Sequence, residues 1–320
     1  MVIMKKKTKK KKNNEQKSYL LIDGEGLLHQ SFHKFSNLMS RKAVPTGAIF
    51  GFFKSLHHYM YRFQCNDVYV VFDNGHSKHR DSLLPTYKEH RKRVDIDYES
   101  LQAQKKNIMA VCRMLRIKYI FDKEKSCNYE GDDFLAYLTL KYLPRKSKIV
   151  IVTADKDFNQ LLRGQTVKIF NPRKDQLVFE SNCKTIYGYK SSETVDWLSL
   201  IGDTSDDIPG YKGIGEKKAR QFLDTYGSIE AYLAQDQCLS DDKGHTKMLE
   251  VYNRNKQLID LKWYVNHIKL DKLPLKDYKD SVIQEKKLKK FSDEHNLDSF
   301  NTDIFKRTFI EQLEGWKTND

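Results

Sequence analysis

Two short runs, Glu130-Gly131-Asp132-Asp133 and Thr153-Ala154-Asp155-Lys156-Asp157, constrain this chain more than any other feature. The first opens an apolar, helix-like segment, Phe134-Leu135-Ala136-Tyr137-Leu138. The second follows a strand-like run, Ile149-Val150-Ile151-Val152. Five acids crowded where a strand ends and a helix begins repel one another. A fold tolerates that only with cations between them, and an oxygen-only ligand set suits hard divalent ions, Mg²⁺ or Mn²⁺.

The same pattern recurs along the chain. Ser18 to Ile22 reads as a buried strand ending in Asp23, and Val68 to Phe72 as another ending in Asp73. With Lys148 to Val152 this makes three strands that run into an acid, and in open α/β sheets ligands bind at that carboxyl edge. Helices are expected over 27–35, 46–63, 108–115, 158–162, 194–201, 216–226, 228–234, 246–258, 286–291 and 304–313. A short strand is expected over 118–121 and a hairpin at Asn171-Pro172-Arg173-Lys174-Asp175. Ile49, Phe52, Phe53, Leu56 and Tyr59 fall at helical spacing and read as core. Glu130 and Asp133 share a helix face, with Asp132 turned away unless it belongs to an irregular first turn. Spacing does not choose between Asp132 and Asp133, and the helix dipole alone would also favour acids there. Further acids follow at Asp203, Asp206 and Asp207.

The charge balance says what such a site acts on. Lys and Arg number 57 against 43 Asp and Glu, a net +14, which favours a polyanionic partner, nucleic acid or a membrane surface. No apolar run reaches the roughly 18 residues of a membrane span. The basic N-terminus, residues 1–17, has no apolar stretch behind it and reads as a disordered tail rather than a secretory signal. Five scattered cysteines read as free thiols of a reducing compartment, so a cytoplasmic setting is expected, in a cell or in the host of a virus. Residues 76–107 are strongly basic, with Lys88, Arg91 and Arg93 among the cations and Tyr87 beside them. Such an arm beside an acidic centre suits a phosphodiester held over metal ions. Gly213-Ile214-Gly215 then leads into Glu216-Lys217-Lys218. Lysines in a first turn oppose the helix dipole and point to an external anion, so the segment reads as a helix–hairpin–helix grip on a nucleic-acid backbone. Two metal ions would split phosphodiesters in line without a nucleophilic side chain.

These runs, in this order, resemble the 5′-nuclease superfamily: Leu21-Ile22-Asp23-Gly24, Val71-Phe72-Asp73, Tyr87-Lys88-Glu89-His90-Arg91, Glu130 to Asp133, Thr153 to Asp157, Gly202 to Asp207 and Gly213 to Lys217. That superfamily includes flap endonucleases, the 5′→3′ exonuclease domain of bacterial DNA polymerase I and phage 5′-exonucleases also called RNase H. The resemblance implies an α/β fold, with a parallel-rich sheet flanked by helices in a PIN-like nuclease core over 18–185. A helical arch would span about 76–107, and a helix–hairpin–helix subdomain with C-terminal helices would span 186–320. It implies that Asp73, Glu130, Asp132 and Asp155 surround a first metal, with Asp23 nearby, and that Asp157, Asp203 and Asp206 serve a second. Asp133 is retained as a further candidate ligand. It implies that Lys88 and Arg91 contact the scissile phosphate from the arch, that Tyr87 stacks on the terminal base and that Arg93 binds DNA. Gly213, Gly215, Lys217 and Lys218 would hold duplex, with K⁺ on the hairpin carbonyls. The implied substrates are 5′ flaps, nicked or gapped DNA and RNA–DNA hybrids, cut by a monomer without a polymerase domain. Gly131 stands where the family usually has Ala, and Asp207 where it commonly has Asn. Three rivals are a silent flap- or junction-binding module of the same fold, a phosphatase for small phosphates and a PIN-type ribonuclease. The first would have lost acids, the second leaves the basic run and hairpin unexplained, and the third is usually shorter and lacks the hairpin.

Overall fold

The computed structural model describes residues 16–73, 75, 77–90, 96–122, 129–235, 242–267, 273–278 and 282–301. The N-terminal tail up to residue 15, Arg91, Arg93 and the helix expected over 304–313 lie outside the described residues.

The apolar runs become strands: β1 (Ser18–Asp23), β2 (Asp67–Val71), β3 (Lys118–Ile120), β4 (Lys148–Val152), β5 (Val167–Asn171) and β6 (Gln176–Val178). With β9 (Leu275–Lys276) they form one sheet in the order β6-β5-β4-β1-β2-β3-β9. β1, β2, β3, β4 and β5 run parallel; β6 and β9 are antiparallel edges. A separate hairpin pairs β7 (Gly202–Asp203) with β8 (Ile208–Pro209). Central parallel strands are covered on both faces, which is why they read as continuous apolar runs. Tyr19, Leu21, Tyr69, Val71, Ile149 and Ile151 face one core, and Leu20, Ile22, Val68 and Val70 face the other.

The second of these cores is closed by α1 (Gly24–Lys34), α2 (Gly47–Phe63), α4 (Tyr98–Met114) and α12 (Glu285–His295). The first is closed by α5 (Gly131–Tyr137), α6 (Cys183–Tyr187), α7 (Thr194–Ile201), α8 (Glu216–Tyr226), α9 (Ile229–Leu233), α10 (Asp242–Ile259) and α11 (Leu261–His267). α3 (Lys78–Leu83) precedes α4. α4 starts ten residues before the expected helix because Asp97 caps it, its carboxylate accepting from Ser100 N at 2.9 Å. Cys65, Cys112 and Cys183 are buried free thiols, and burial pushes Cys65 up to about 12. Among the described residues no helix is long and apolar enough to cross a membrane.

The chain leaves β1 towards β2 and β3 on one side and returns to β4 and β5 on the other. The order therefore reverses between β1 and β4, where open α/β sheets form their ligand crevice.

Candidate metal centre

At that crevice Asp23 ends β1 and caps α1, one carboxylate oxygen accepting from Gly26 N at 2.8 Å and the other from Thr153 Oγ1 at 3.0 Å. A Cβ on residue 26 would lie 2.6 Å from that carboxylate, so only glycine lets the helix start so close. Across the switch point Asp155 caps the 3₁₀ turn Lys156–Leu161, accepting from Asp157 N at 2.8 Å. Two residues beyond β2, Asp73 donates its N–H to Glu25 at 3.3 Å. Asp203, at β7, accepts from Ser205 N and Oγ at 2.8 and 2.7 Å and lies 3.4 Å from Lys156 Nζ. Asp23, Asp73, Asp132, Asp155 and Asp203 line one cavity of about 760 Å³, with Lys88 and His90 on its wall.

The charges there are unbalanced. Burial and the neighbouring charge of Asp206 hold Asp155 up at about 6; burial and Glu130 hold Asp73 at about 7. Burial and then Asp155 raise Asp132 and Asp157 well above the carboxylate range, and burial raises Asp23. Asp157 Oδ1 is buried without a hydrogen-bond partner, which is uncommon for a carboxylate and calls for a cation. Among the described residues no three such groups close on one point as a finished coordination shell; like charges hold them apart. The donor set is nevertheless all oxygen, mutually repelling and partly orphaned, which fits hard divalent ions.

Three cations of the basic run expected to hold a phosphodiester are buried against these acids. Lys88, 4% exposed, sits in a turn with φ +55°, donating Nζ to Glu130 Oε2 at 2.7 Å, with Asp206 Oδ2 at 3.6 Å. Burial alone would raise Glu130, but Lys88 and then Arg80 hold it down at about 2. Arg80 grips Asp133 through two 2.8 Å hydrogen bonds and lies 3.8 Å over the Tyr264 ring. Lys105 donates to Glu25 at 2.7 Å and also to the Asp73 carbonyl.

This corrects two expectations. Asp133 spends both oxygens on Arg80 and on the Glu130 N–H at 3.0 Å, so it braces the start of α5 and does not face the cavity. Tyr87 is buried, its hydroxyl donating to Glu130 at 3.0 Å and near Asp206 at 3.3 Å, so its ring is not open to a base. Lys88 itself lies in a turn between α3 and α4; within the arch expected over about 76–107, residues 78–83, 89–90 and the stretch from 98 onward are helical, and residues 91–95 lie outside the described residues. Asp132, by contrast, reaches the cavity from the first turn of α5, which Glu130 and Asp133 close as a capping box. Glu130, Asp157 and Asp206 stand behind the cavity wall rather than on it. Gly131 has room for a methyl group, its nearest neighbour 3.7 Å away, so glycine there is not required by packing. Asp207, at φ +55°, accepts from His90 N and engages His90 Nδ1 at 2.9 and 2.8 Å. The sequence reading did not single out Glu25, and it placed Arg80 and Lys105 in the basic run without their pairing to the acids; the one available signal was that such an acid cluster needs internal counter-charges.

Away from the cavity, Gly213 adopts φ +86°, Gly215 opens α8 with free space around it, and Lys217 and Lys218 are exposed, Lys218 Nζ donating to the Gly213 carbonyl at 3.0 Å.

A doubly covered parallel sheet with acids gathered at its switch point defines an α/β protein whose ligand crevice is built from oxygen donors. The chain belongs to the 5′-3′ exonuclease family: residues 18–188 match its N-terminal resolvase-like domain and residues 189–298 its C-terminal SAM fold. It is 30% identical over 217 residues to a 5′-3′ exonuclease of Aquifex aeolicus, covering 68% of this chain and 72% of that one. It is 33% identical over 214 residues to the thermostable DNA polymerase I of Thermus aquaticus, covering 67% of this chain and 24% of the polymerase. In fold it resembles the T5 D15 flap endonuclease in complex with DNA and metal ions, with a TM-score of 0.65, 18% identity, and 78% of this chain and 91% of that one covered.

Proposed function

We propose that this chain is a Mg²⁺-dependent, structure-specific 5′-nuclease that hydrolyses phosphodiesters near the 5′ end of flaps and nicked duplexes by a two-metal mechanism. The observation that carries the reading is the convergence of Asp23, Asp73, Asp132, Asp155 and Asp203, from separate elements, on one cavity at the sheet's switch point. The family membership supports the hydrolase class, and the T5 relative with bound DNA and metal ions supports both partners.

In this reading Asp73, Asp132 and Asp155, with Asp23, hold one ion, and Asp203, with Asp157 and Asp206 behind it, serves a second. Divalent ions held there supply Lewis acidity, activating water and neutralising the charge that builds on phosphate. Lys88 keeps a fixed positive charge on the cavity wall, where developing phosphate charge must be met. Arg91 and Arg93 follow it in the chain and add affinity for the same strand. α7, the β7–β8 hairpin and α8 would act as a helix–hairpin–helix: Gly213 and Gly215 let a phosphate backbone approach, Lys217 and Lys218 lie at the start of α8 to meet it, and the turn carbonyls would hold a K⁺ ion that adds positive charge to the grip. RNA–DNA hybrids are a second substrate of the same site.

Labelled 5′ flaps, nicked duplexes and RNA-primed duplexes, incubated with Mg²⁺, test this. Short oligonucleotides ending at the junction support flap cutting, and mononucleotides support stepwise exonuclease action. Cutting confined to internal sites of single strands would replace the 5′-nuclease reading.

A further inference from the structure

The turn between β5 and β6, Asn171 to Asp175, has no task in the reading above, yet it forms a wall of the same cavity. β5 neighbours β4 in the sheet, so the turn stands about one strand spacing, roughly 4.8 Å, from the loop that carries Asp155. Asn171, Pro172, Arg173 and Lys174 line the cavity with Asp155 and Asp203. The turn is held rigidly. Asn171 is buried and its Oδ1 accepts from Arg173 N at 3.0 Å and Lys174 N at 3.3 Å. Asp175, at φ +48°, is ion-paired with Arg62, whose guanidinium lies 4.5 Å from the Phe170 ring. Asp175 is therefore spent on Arg62 and does not neutralise the two cations beside it.

Those two cations differ from the others around the cavity. Lys88 is paired with Glu130 and Lys156 with Asp203. Arg173 and Lys174 are exposed, and of the described lysines and arginines that line the cavity only these two have no acidic partner. Lys174 Nζ lies 5.7 Å over the Tyr187 ring, another cavity residue, which keeps it at the rim.

We propose that the β5–β6 turn is a phosphate-binding lip, with Arg173 and Lys174 taking backbone phosphates of the cleaved strand next to the scissile one. The proposal rests on the nuclease reading and assigns part of its substrate. A polynucleotide with one phosphate over the acids must carry its neighbouring phosphates across the cavity rim. Among the described residues the β5–β6 side presents fixed, unneutralised positive charge there. A turn already locked by Asn171 and Asp175 loses little freedom on binding, so its charges are used efficiently. Two phosphate contacts on a single-stranded segment release the counterions of both.

Fluorescence anisotropy with a 5′-flap duplex in Ca²⁺, across a range of salt, tests the lip. The comparison is between the unsubstituted protein, Arg173→Ala/Lys174→Ala, and a control of equal charge, Lys146→Ala/Lys148→Ala, at the opposite sheet edge. The lip variant should bind several-fold more weakly, with a salt slope shallower by about 1.4 than the unsubstituted protein, while the control moves little. A neutral methylphosphonate is then walked along both strands. Placed beside the scissile phosphate, it should weaken the unsubstituted protein several-fold and leave the lip variant unchanged, the non-additivity expected of a direct contact. An unchanged slope, a penalty equal in both proteins, or a penalty confined to the complementary strand overturns the proposal. Absence of Mg²⁺-dependent cutting by the unsubstituted protein would strike the nuclease reading instead, and the binding slopes would still judge the lip.

Discussion

Asp155 and Lys88 mark the two sides of the site's charge problem, one an acid held up at about 6 by burial and acidic neighbours, the other a buried ammonium. Asp155→Ala is expected to abolish cleavage while flap binding, read by anisotropy, stays within a few-fold. Residual cutting near the normal rate would remove Asp155 from the metal site. Lys88→Ala is expected to slow single-turnover cleavage by roughly 10²–10³-fold with a much smaller change in affinity. A loss confined to affinity would make Lys88 a phosphate anchor. At this scale Asp23, Asp73 and Asp155 were legible, because each follows an apolar strand whose direction places its end at the same edge. The choice between Asp132 and Asp133 was not, because it is made by Arg80, some fifty residues away in sequence, which captures Asp133. Tyr87 was misread for the same reason: its partners Glu130 and Asp206 come from other elements.

The elements are tied together by the same buried charges. Arg80 of α3 reaches Asp133 of α5, the Tyr264 ring of α11 and, through Nε at 3.2 Å, the carbonyl of Leu258 in α10. Removing one partner of so buried a pair leaves the other uncompensated, so Arg80→Ala should lower unfolding free energy by about 3–5 kcal/mol. Urea denaturation measures this, and a loss under 1 kcal/mol would show that the network contributes little. The six longer strands and most helices were legible from period and punctuation, and the two-residue strands β7, β8 and β9 were not. The early start of α4 was signalled by Asp97 three residues before Ser100 but is easily overlooked in a basic stretch. The short helix expected over 158–162 is present as the 3₁₀ turn Lys156–Leu161, whereas the π-helical continuation of α5 over Leu138–Tyr142 was not legible, since it depends on packing rather than on local preference.

For the whole molecule, the acids make stability depend on pH and on cations. Asp155 and Asp73, about 6 and 7 in the folded protein, hold their protons more tightly than in the unfolded chain, where both titrate near 3.8. Their protonated forms stabilise the fold fully below about 3.8, and that contribution is lost as pH rises through 6 and 7. Glu130 works in the opposite sense: its contribution is present above 4.5 and is lost only as pH falls through about 2. In EDTA the melting temperature should therefore fall by several degrees between mildly acidic and mildly alkaline pH. Mg²⁺ should raise it most at the alkaline end, where protons no longer compete for the carboxylates. A melting temperature insensitive to Mg²⁺ at every pH would contradict this linkage. Sheet order could be inferred only in outline from the sequence, because nothing local in the chain states which strands become neighbours; the return of β4 to the far side of β1 is what joins Asp155 to Asp23.

The most direct test of the central claim is a gel assay on a 5′-end-labelled flap duplex, run with Mg²⁺ and with EDTA. Short labelled products that appear with Mg²⁺ and vanish with EDTA are the predicted result. A flap that is bound yet stays intact with both Mg²⁺ and Mn²⁺ would contradict it and leave the acid cluster serving recognition rather than hydrolysis.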